Sequence, residues 1–168
     1  MDLPGSVPPE IEAWFAARGW RVRDHQTGML RAADEGRHAL LVADTGAGKT
    51  LAGFLPTLAA FTPSRLGGAA PPEGLHTLYV SPLKALAHDV RRNLLTPVEG
   101  LGLPIRVETR SGDTPSDRKA RQRARPPHVL LTTPESLSLL LSYPESAELF
   151  AGLQRIVIDE VHAFATGK

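Results

Sequence analysis

Two short stretches of this sequence carry residues whose types and spacing suit phosphate chemistry. The first is "LLVADTGAGKT" (40–50), a buried-type strand pattern running into a Gly-rich turn and then a helix expected to begin at Lys49. Gly46 and Gly48 let backbone amides converge on an anion without Cβ clash, and a helix N-terminus adds favourable potential. Thr45 and Ala47 complete the loop that would cradle the phosphates. Lys49 would reach the β- and γ-phosphates, and Thr50 would hold Mg²⁺ through its hydroxyl. The first glycine usual in such a loop is Ala43 here. Asp44 sets a carboxylate beside a phosphate loop, and like-charge repulsion predicts that it points outward. The ordinary alternative for the stretch is a tight turn before a helix.

The second stretch is "RIVIDE" (155–160), a β-branched run that delivers two adjacent carboxylates. The carboxyl end of a buried strand is where a parallel α/β sheet assembles its ligand site. Asp159 there can hold a hydrated Mg²⁺, and Glu160 can orient and polarise an attacking water. Solvated acids at strand ends are common, so this motif gains its force from the phosphate loop upstream.

Both stretches need a frame, and periodicity supplies one. Short apolar runs recur at "HALLVA" (38–43), "HTLYVS" (76–81), "IRVET" (105–109), "HVLLTT" (128–133) and "RIVIDE". Several are apolar at successive positions, as expected of strands covered on both faces. Helical spacing appears between them in "PLKALAHDVRRNLL" and "PESLSLLLS". That alternation predicts βαβ units and a mostly parallel sheet flanked by helices. Two helices, "PEIEAWFAARG" and "DHQTGMLRAADEG", precede the first run, each closed by glycine. "TPSRLGGAAPPEG" (62–74) reads as a long surface loop, and Pro56 should kink or shorten its helix. At 168 residues with 42% hydrophobic content the chain can bury one core. The lack of cysteine excludes disulfides, Cys-type zinc sites and a cysteine nucleophile. No stretch has membrane-spanning length and the start lacks signal-peptide features, so a soluble, cytoplasmic protein is expected. A net charge of +1 confines any nucleic-acid face to a local patch.

"ADTGAGKT" with "DEVH" resembles motifs I and II of superfamily-2 helicases of the DExH type. The resemblance covers nearly the whole chain in the right order, and its wording is closest to Lhr-type helicases, in particular the bacterial ligase-associated DEXH-box group. It implies a RecA-like P-loop NTPase domain that binds ATP and Mg²⁺, with His162 joining the nucleotide site as part of "DEVH". "DHQ" resembles the adenine-reading motif, with Gln26 pairing the adenine edge; a solvent-facing helix residue is the alternative. The proline-poor "RVRDHQ" departs from the group's habit and puts the local loop shape in question. The implied domains are 1–36, N-terminal helices with the Gln motif, and 37–168, a first RecA-like domain. The third motif and a second RecA-like domain with its arginine finger do not occur here. The sequence is therefore expected to be C-terminally truncated, with a sheet edge or face left uncovered and little hydrolysis by itself.

"YVSPLKALAHDVRRNL" (79–94), "GLPIRVETRSGDT" (102–114) and "LLTTPESLSLLL" (130–141) resemble motif Ia and the further strand-contacting motifs, which brings in Gly112. In "SPLK" and "TTPES", hydroxyls and helix N-termini follow strands, so Ser81, Lys84, Thr133 and Ser136 could grip backbone phosphates. Helix capping explains the same residue types. The basic run "DRKARQRAR" (117–125) reads as a solvated helix face. Aromatic residues are only 5%, which favours backbone tracking over base stacking.

The reading is the ATP-binding motor domain of an ATP-dependent DNA helicase acting in repair, on single-stranded or partly duplex DNA. RNA is not separated from DNA by the residues. The resemblance implies DNA ligase and nuclease partners and 3′-to-5′ translocation. The rival classes are a non-hydrolysing nucleotide-binding or interaction module, and a P-loop ATPase that drives something other than nucleic acid.

Overall fold

The structure, a computed structural model, describes residues 3–44, 48–82 and 84–165, with nothing stated for the side chains of 84–88. It divides into two compact units: the chain to Pro71 with Thr96–Pro104, and Pro72–Leu95 with Ile105 onward.

The first unit is helical: α1 (Pro9–Ala16), α2 (Asp24–Asp34), α3 (Lys49–Ala60) and α4 (Pro63–Leu66). In α1, apolar residues at helical spacing bury one face through Ile11, Trp14 and Phe15. Trp14, Phe15 and Trp20 meet edge to face. The α2 helix packs on α3, which buries Ala52, Phe54, Leu55, Leu58 and Ala59. Arg65 ties α4 to α2 through Asp34 at 3.0 Å, and Ser64 bonds Glu10 of α1.

The second unit holds a parallel four-stranded sheet of β1 (Thr77–Val80), β2 (Val107–Arg110), β3 (Val129–Thr132) and β4 (Arg155–Ile158), in the order β2-β3-β1-β4. Its helices are α5 (Lys84–Gly100, whose last turn belongs to the first unit), α6 (Ser116–Ala124), α7 (Pro134–Leu141), α8 (Ser146–Phe150) and α9 (Val161–Ala165). β1 and β3 are buried at every position, as central parallel strands should be. Leu75, Leu78, Val80, Leu130 and Leu140 form the core of one face, with Leu137, Leu149 and Leu153 packed against it. The expected α/β class with a parallel sheet and flanking helices is what the chain adopts.

Three local expectations are corrected. The run 38–43 is not a strand: Leu40 and Val42 are 78% and 85% exposed, and none of the three described ladders includes it. An apolar run becomes a strand only where a neighbour accepts its backbone bonds, and none among the described residues does. The loop 62–74 begins with α4, because Pro63 at the first helical position and Thr62 before it start a turn that Gly67 ends. Helix α3 is not shortened at Pro56 but runs on to Ala60, with Pro56 buried among its apolar neighbours. β4 ends the strand order among the described residues, and its Ile156 and Ile158 are 58% and 53% exposed.

Candidate functional site

In the first unit, the described part of the stretch around Lys49 is a left-handed glycine at the start of a helix. Gly48 sits at φ 76° as the N-cap of α3, which begins at Lys49 as expected. Only glycine adopts that conformation without cost, and it leaves the first amides of the helix pointing outward. The Lys49 ammonium donates to the Ala43 carbonyl at 2.7 Å, so the lysine side chain spans the loop it flanks. Asp44 is exposed, as expected from charge repulsion. Thr50 occupies the second position of α3 and is half-buried. Thr45, Gly46 and Ala47 lie outside the described residues.

Gln26 joins this group from α2. Its Oε1 accepts the Arg23 N–H at 2.9 Å, which caps the helix, and its side chain is only 3% exposed. A Cβ placed on Gly48 would stand 3.2 Å from Gln26 Nε2. The solvent-facing alternative for Gln26 is thereby overturned: its amide packs against the loop glycine. A carbonyl oxygen has two acceptor sites, so Oε1 keeps one beyond the cap.

In the second unit, the carboxyl ends of the four strands carry the remaining candidates. Asp159 follows β4 and both of its carboxylate oxygens are engaged. Oδ2 accepts the Tyr79 hydroxyl at 2.6 Å, and Oδ1 accepts the Glu160 N–H at 2.8 Å. Glu160 has φ 52°, the left-handed region that a non-glycine residue occupies at a cost of roughly 1–3 kcal/mol. That turn starts α9 and lets the Glu160 carbonyl accept the Ala163 N–H at 2.8 Å. The Glu160 carboxylate meets His162 Nε2 at 3.1 Å, an ion pair when the imidazole is protonated, with His162 79% exposed. Burial first, and the Asp159 carboxylate second, push the Tyr79 phenol far above its ordinary range, which keeps it a donor.

Among the described residues no group of three or more His, Cys, Asp or Glu could hold a metal alone. A cation here would draw on few protein ligands, which suits Mg²⁺, an ion that keeps its waters and shares carboxylates with phosphates. Each Asp159 oxygen has one donor and room for another, so a hydrated hard cation fits.

The candidates for nucleic-acid contact share the same strand ends. Ser81 is buried after β1, its N–H donating to Thr132 O at 3.1 Å and its side chain hydrogen-bonded to Tyr79. Thr133 caps α7, its Oγ1 facing the Ser136 N–H at 3.4 Å and the Ser136 hydroxyl at 3.3 Å. Gly112 is exposed in the turn after β2, where Lys119 donates to its carbonyl at 3.2 Å. Buried Arg110 steadies that turn through Lys119 O and Gln122. The basic run lies largely in solvent, with Arg118, Arg121 and Arg125 exposed; Arg121 pairs with Glu108 at 2.8 Å, and Arg123 stacks over Tyr143. Lys84 is the first residue of α5, and its side chain lies outside the described residues.

Against known families, residues 23–167 match the model of the DEAD/DEAH box helicases. The chain belongs to the DEAD/DEAH box helicase family. It is 43% identical to the Lhr helicase/probable uracil glycosylase of Mycolicibacterium smegmatis over 99% of its own length and 12% of that protein. It is 35% identical to the ATP-dependent helicase Lhr-Core of Methanothermobacter thermautotrophicus, covering 99% of the chain and 20% of that relative. The solved structure of Mycobacterium smegmatis helicase Lhr bound to ssDNA and AMP-PNP superposes with a TM-score of 0.81 at 41% identity, over 95% of this chain and 21% of that one. The chain thus spans about an eighth to a fifth of the length of these relatives. For a DEAD/DEAH box helicase domain, the residue that sequence reasoning missed is Tyr79. Its signal was available: a phenol inside an otherwise aliphatic, fully buried strand needs a hydrogen-bond partner.

Proposed function

We propose that this chain is the nucleotide-binding motor domain of an ATP-driven helicase that moves along single-stranded DNA. The observation that carries the reading is the junction of Gln26 with Gly48 beside Lys49, because an amide there would suit an adenine edge while Lys49 met the phosphates. The M. smegmatis relative, solved with ssDNA and AMP-PNP, supports the same pair of ligands.

In this reading the loop amides and Lys49 bind the phosphates while Gln26 meets the base. Lys49 would exchange its bond to the Ala43 carbonyl for one to phosphate, a charge-assisted contact of greater strength. Thr50 and Asp159 would hold Mg²⁺, which supplies charge neutralisation at the phosphates. Glu160 would orient the attacking water and take up its proton, and His162 would hold the Glu160 carboxylate. Backbone amides at the starts of α5 and α7, with Gly112, would grip the DNA backbone, while Ser81, Thr133 and Ser136 shape those segments.

Action in DNA repair, alongside ligase or nuclease partners, follows from the Lhr-type resemblance and belongs to the whole protein. A second RecA-like domain would complete the motor and supply the cation that stabilises the transition state. Nucleotide binding by the chain, measured by fluorescence with ATP and GTP analogues, tests the reading: selective, magnesium-dependent ATP binding is expected. Equal affinity for both, or none, would contradict it.

A further inference from the structure

We infer that Tyr79 is a positioning residue for the magnesium-binding acid, fixing the Asp159 carboxylate and tying it to the segment that follows β1. The inference rests on the reading above, in which Asp159 holds the metal.

The register of the sheet places the two residues. β1 and β4 are parallel neighbours, with Tyr79 opposite Val157, so Asp159 lies two residues further on the same face. A tyrosine leaning along its strand reaches that position, and the phenol closes on Oδ2 at 2.6 Å. The side chain is 1% exposed, so water cannot take its place as the donor. The second carboxylate oxygen is held at 2.8 Å by the Glu160 N–H, from the backbone turned at φ 52°. One donor on each oxygen sets the plane of the carboxylate and leaves the remaining acceptor sites for a hydrated cation.

The phenol also has a partner on its other side. The Ser81 side chain hydrogen-bonds to it, and a phenol that donates to a carboxylate accepts from the serine. Ser81 in turn fixes its backbone on β3 through Thr132. A relay therefore runs from the end of β1, through Ser81 and Tyr79, to Asp159. A shift of the segment after β1 would be felt at the acid through two hydrogen bonds. Partners of this kind orient a metal ligand, and losing one costs metal affinity about 10- to 100-fold.

The test uses the full chain and a fluorescent, non-hydrolysable ATP analogue titrated with magnesium. Tyr79→Phe keeps the ring and removes only the hydroxyl. It should raise the magnesium concentration for half-maximal binding roughly tenfold or more, while affinity in EDTA stays at the parent value. Ser81→Ala should shift the same midpoint in the same direction by less. Tyr79→Phe with an unchanged midpoint would overturn the inference, as would an equal loss of affinity with and without metal.

Asp159→Ala separates the two levels of the argument. A midpoint moved by Asp159→Ala and not by Tyr79→Phe removes Tyr79 and keeps Asp159 as the metal's acid. A midpoint unmoved by either removes the reading and the inference with it. Should Tyr79→Phe fail to fold, 3-fluorotyrosine in the parent chain reports directly, because the chain has two tyrosines and Tyr143 serves as the reference. The fluorine resonance of Tyr79 should move when magnesium joins bound nucleotide. Its failure to move would equally overturn the inference.

Discussion

The amide nitrogen of Gln26 lies 3.2 Å from where a β-carbon of residue 48 would stand, so α2 and the phosphate-loop helix meet at a glycine. Gly48→Ala would press a methyl group on that amide and force alanine to φ 76°, at about 1–2 kcal/mol for the backbone alone. Nucleotide affinity should fall about tenfold, measured with an ATP analogue. Gln26→Ala should lower ATP affinity and leave GTP affinity unchanged, and equal losses would remove Gln26 from base reading.

Lys49 is held by the Ala43 carbonyl and pairs with no acid among the described residues, so phosphate can claim it without breaking an ion pair there. Lys49→Ala should weaken Mg·ATP binding by roughly 1.5–3 kcal/mol, about 10- to 150-fold. Unchanged affinity with the fold intact by circular dichroism would take Lys49 out of the site.

Grip on DNA through its backbone predicts binding that falls steeply with salt and depends little on base sequence. Lys84→Ala, in the protein that carries this domain, should reduce the salt slope by about 0.7 if it neutralises one phosphate of a single strand. A slope that does not change would mean Lys84 makes no such contact.

Acid should destabilise the chain through His76. Burial first, then the charges of Arg155 and His128, hold its imidazole down to about 4 from an ordinary 6.5. The unfolded chain therefore binds the proton first as pH falls. Stability is full above about pH 6.5 and is lost progressively down to about pH 4, a penalty on the order of 3 kcal/mol. His128, also pushed down by burial, acts in the same sense. Urea unfolding across this range should show the decline, with a shallower one in His76→Gln.

What could be read from residues alone was what local chemistry encodes. The helix start at Lys49 follows from a Gly-rich turn, and four of the five strands from β-branched runs between turn residues. The fifth, at 38–43, shows where such reading stops, because Leu40 and Val42 have strand-like sequence but no ladder neighbour among the described residues. Tyr79 and Asp159 are 80 residues apart, and their hydrogen bond exists only because the register sets Tyr79 against Val157. No spacing rule reveals such a pair. Gln26 was legible as a candidate, but its burial against Gly48 came from the packing of α2 on α3.

The most direct test of the account is the rate of ATP hydrolysis with and without single-stranded DNA. It should be measured for the chain alone and for the chain joined to the second motor domain of an Lhr-type relative. The chain alone should bind nucleotide and hydrolyse it at close to background, since a transition-state arginine is worth roughly 10³ to 10⁵ in turnover. The joined protein should be stimulated by DNA, and Glu160→Gln should abolish most of that turnover while sparing ATP binding. DNA-stimulated hydrolysis by the 168-residue chain alone, or a joined protein indifferent to DNA, would contradict the account.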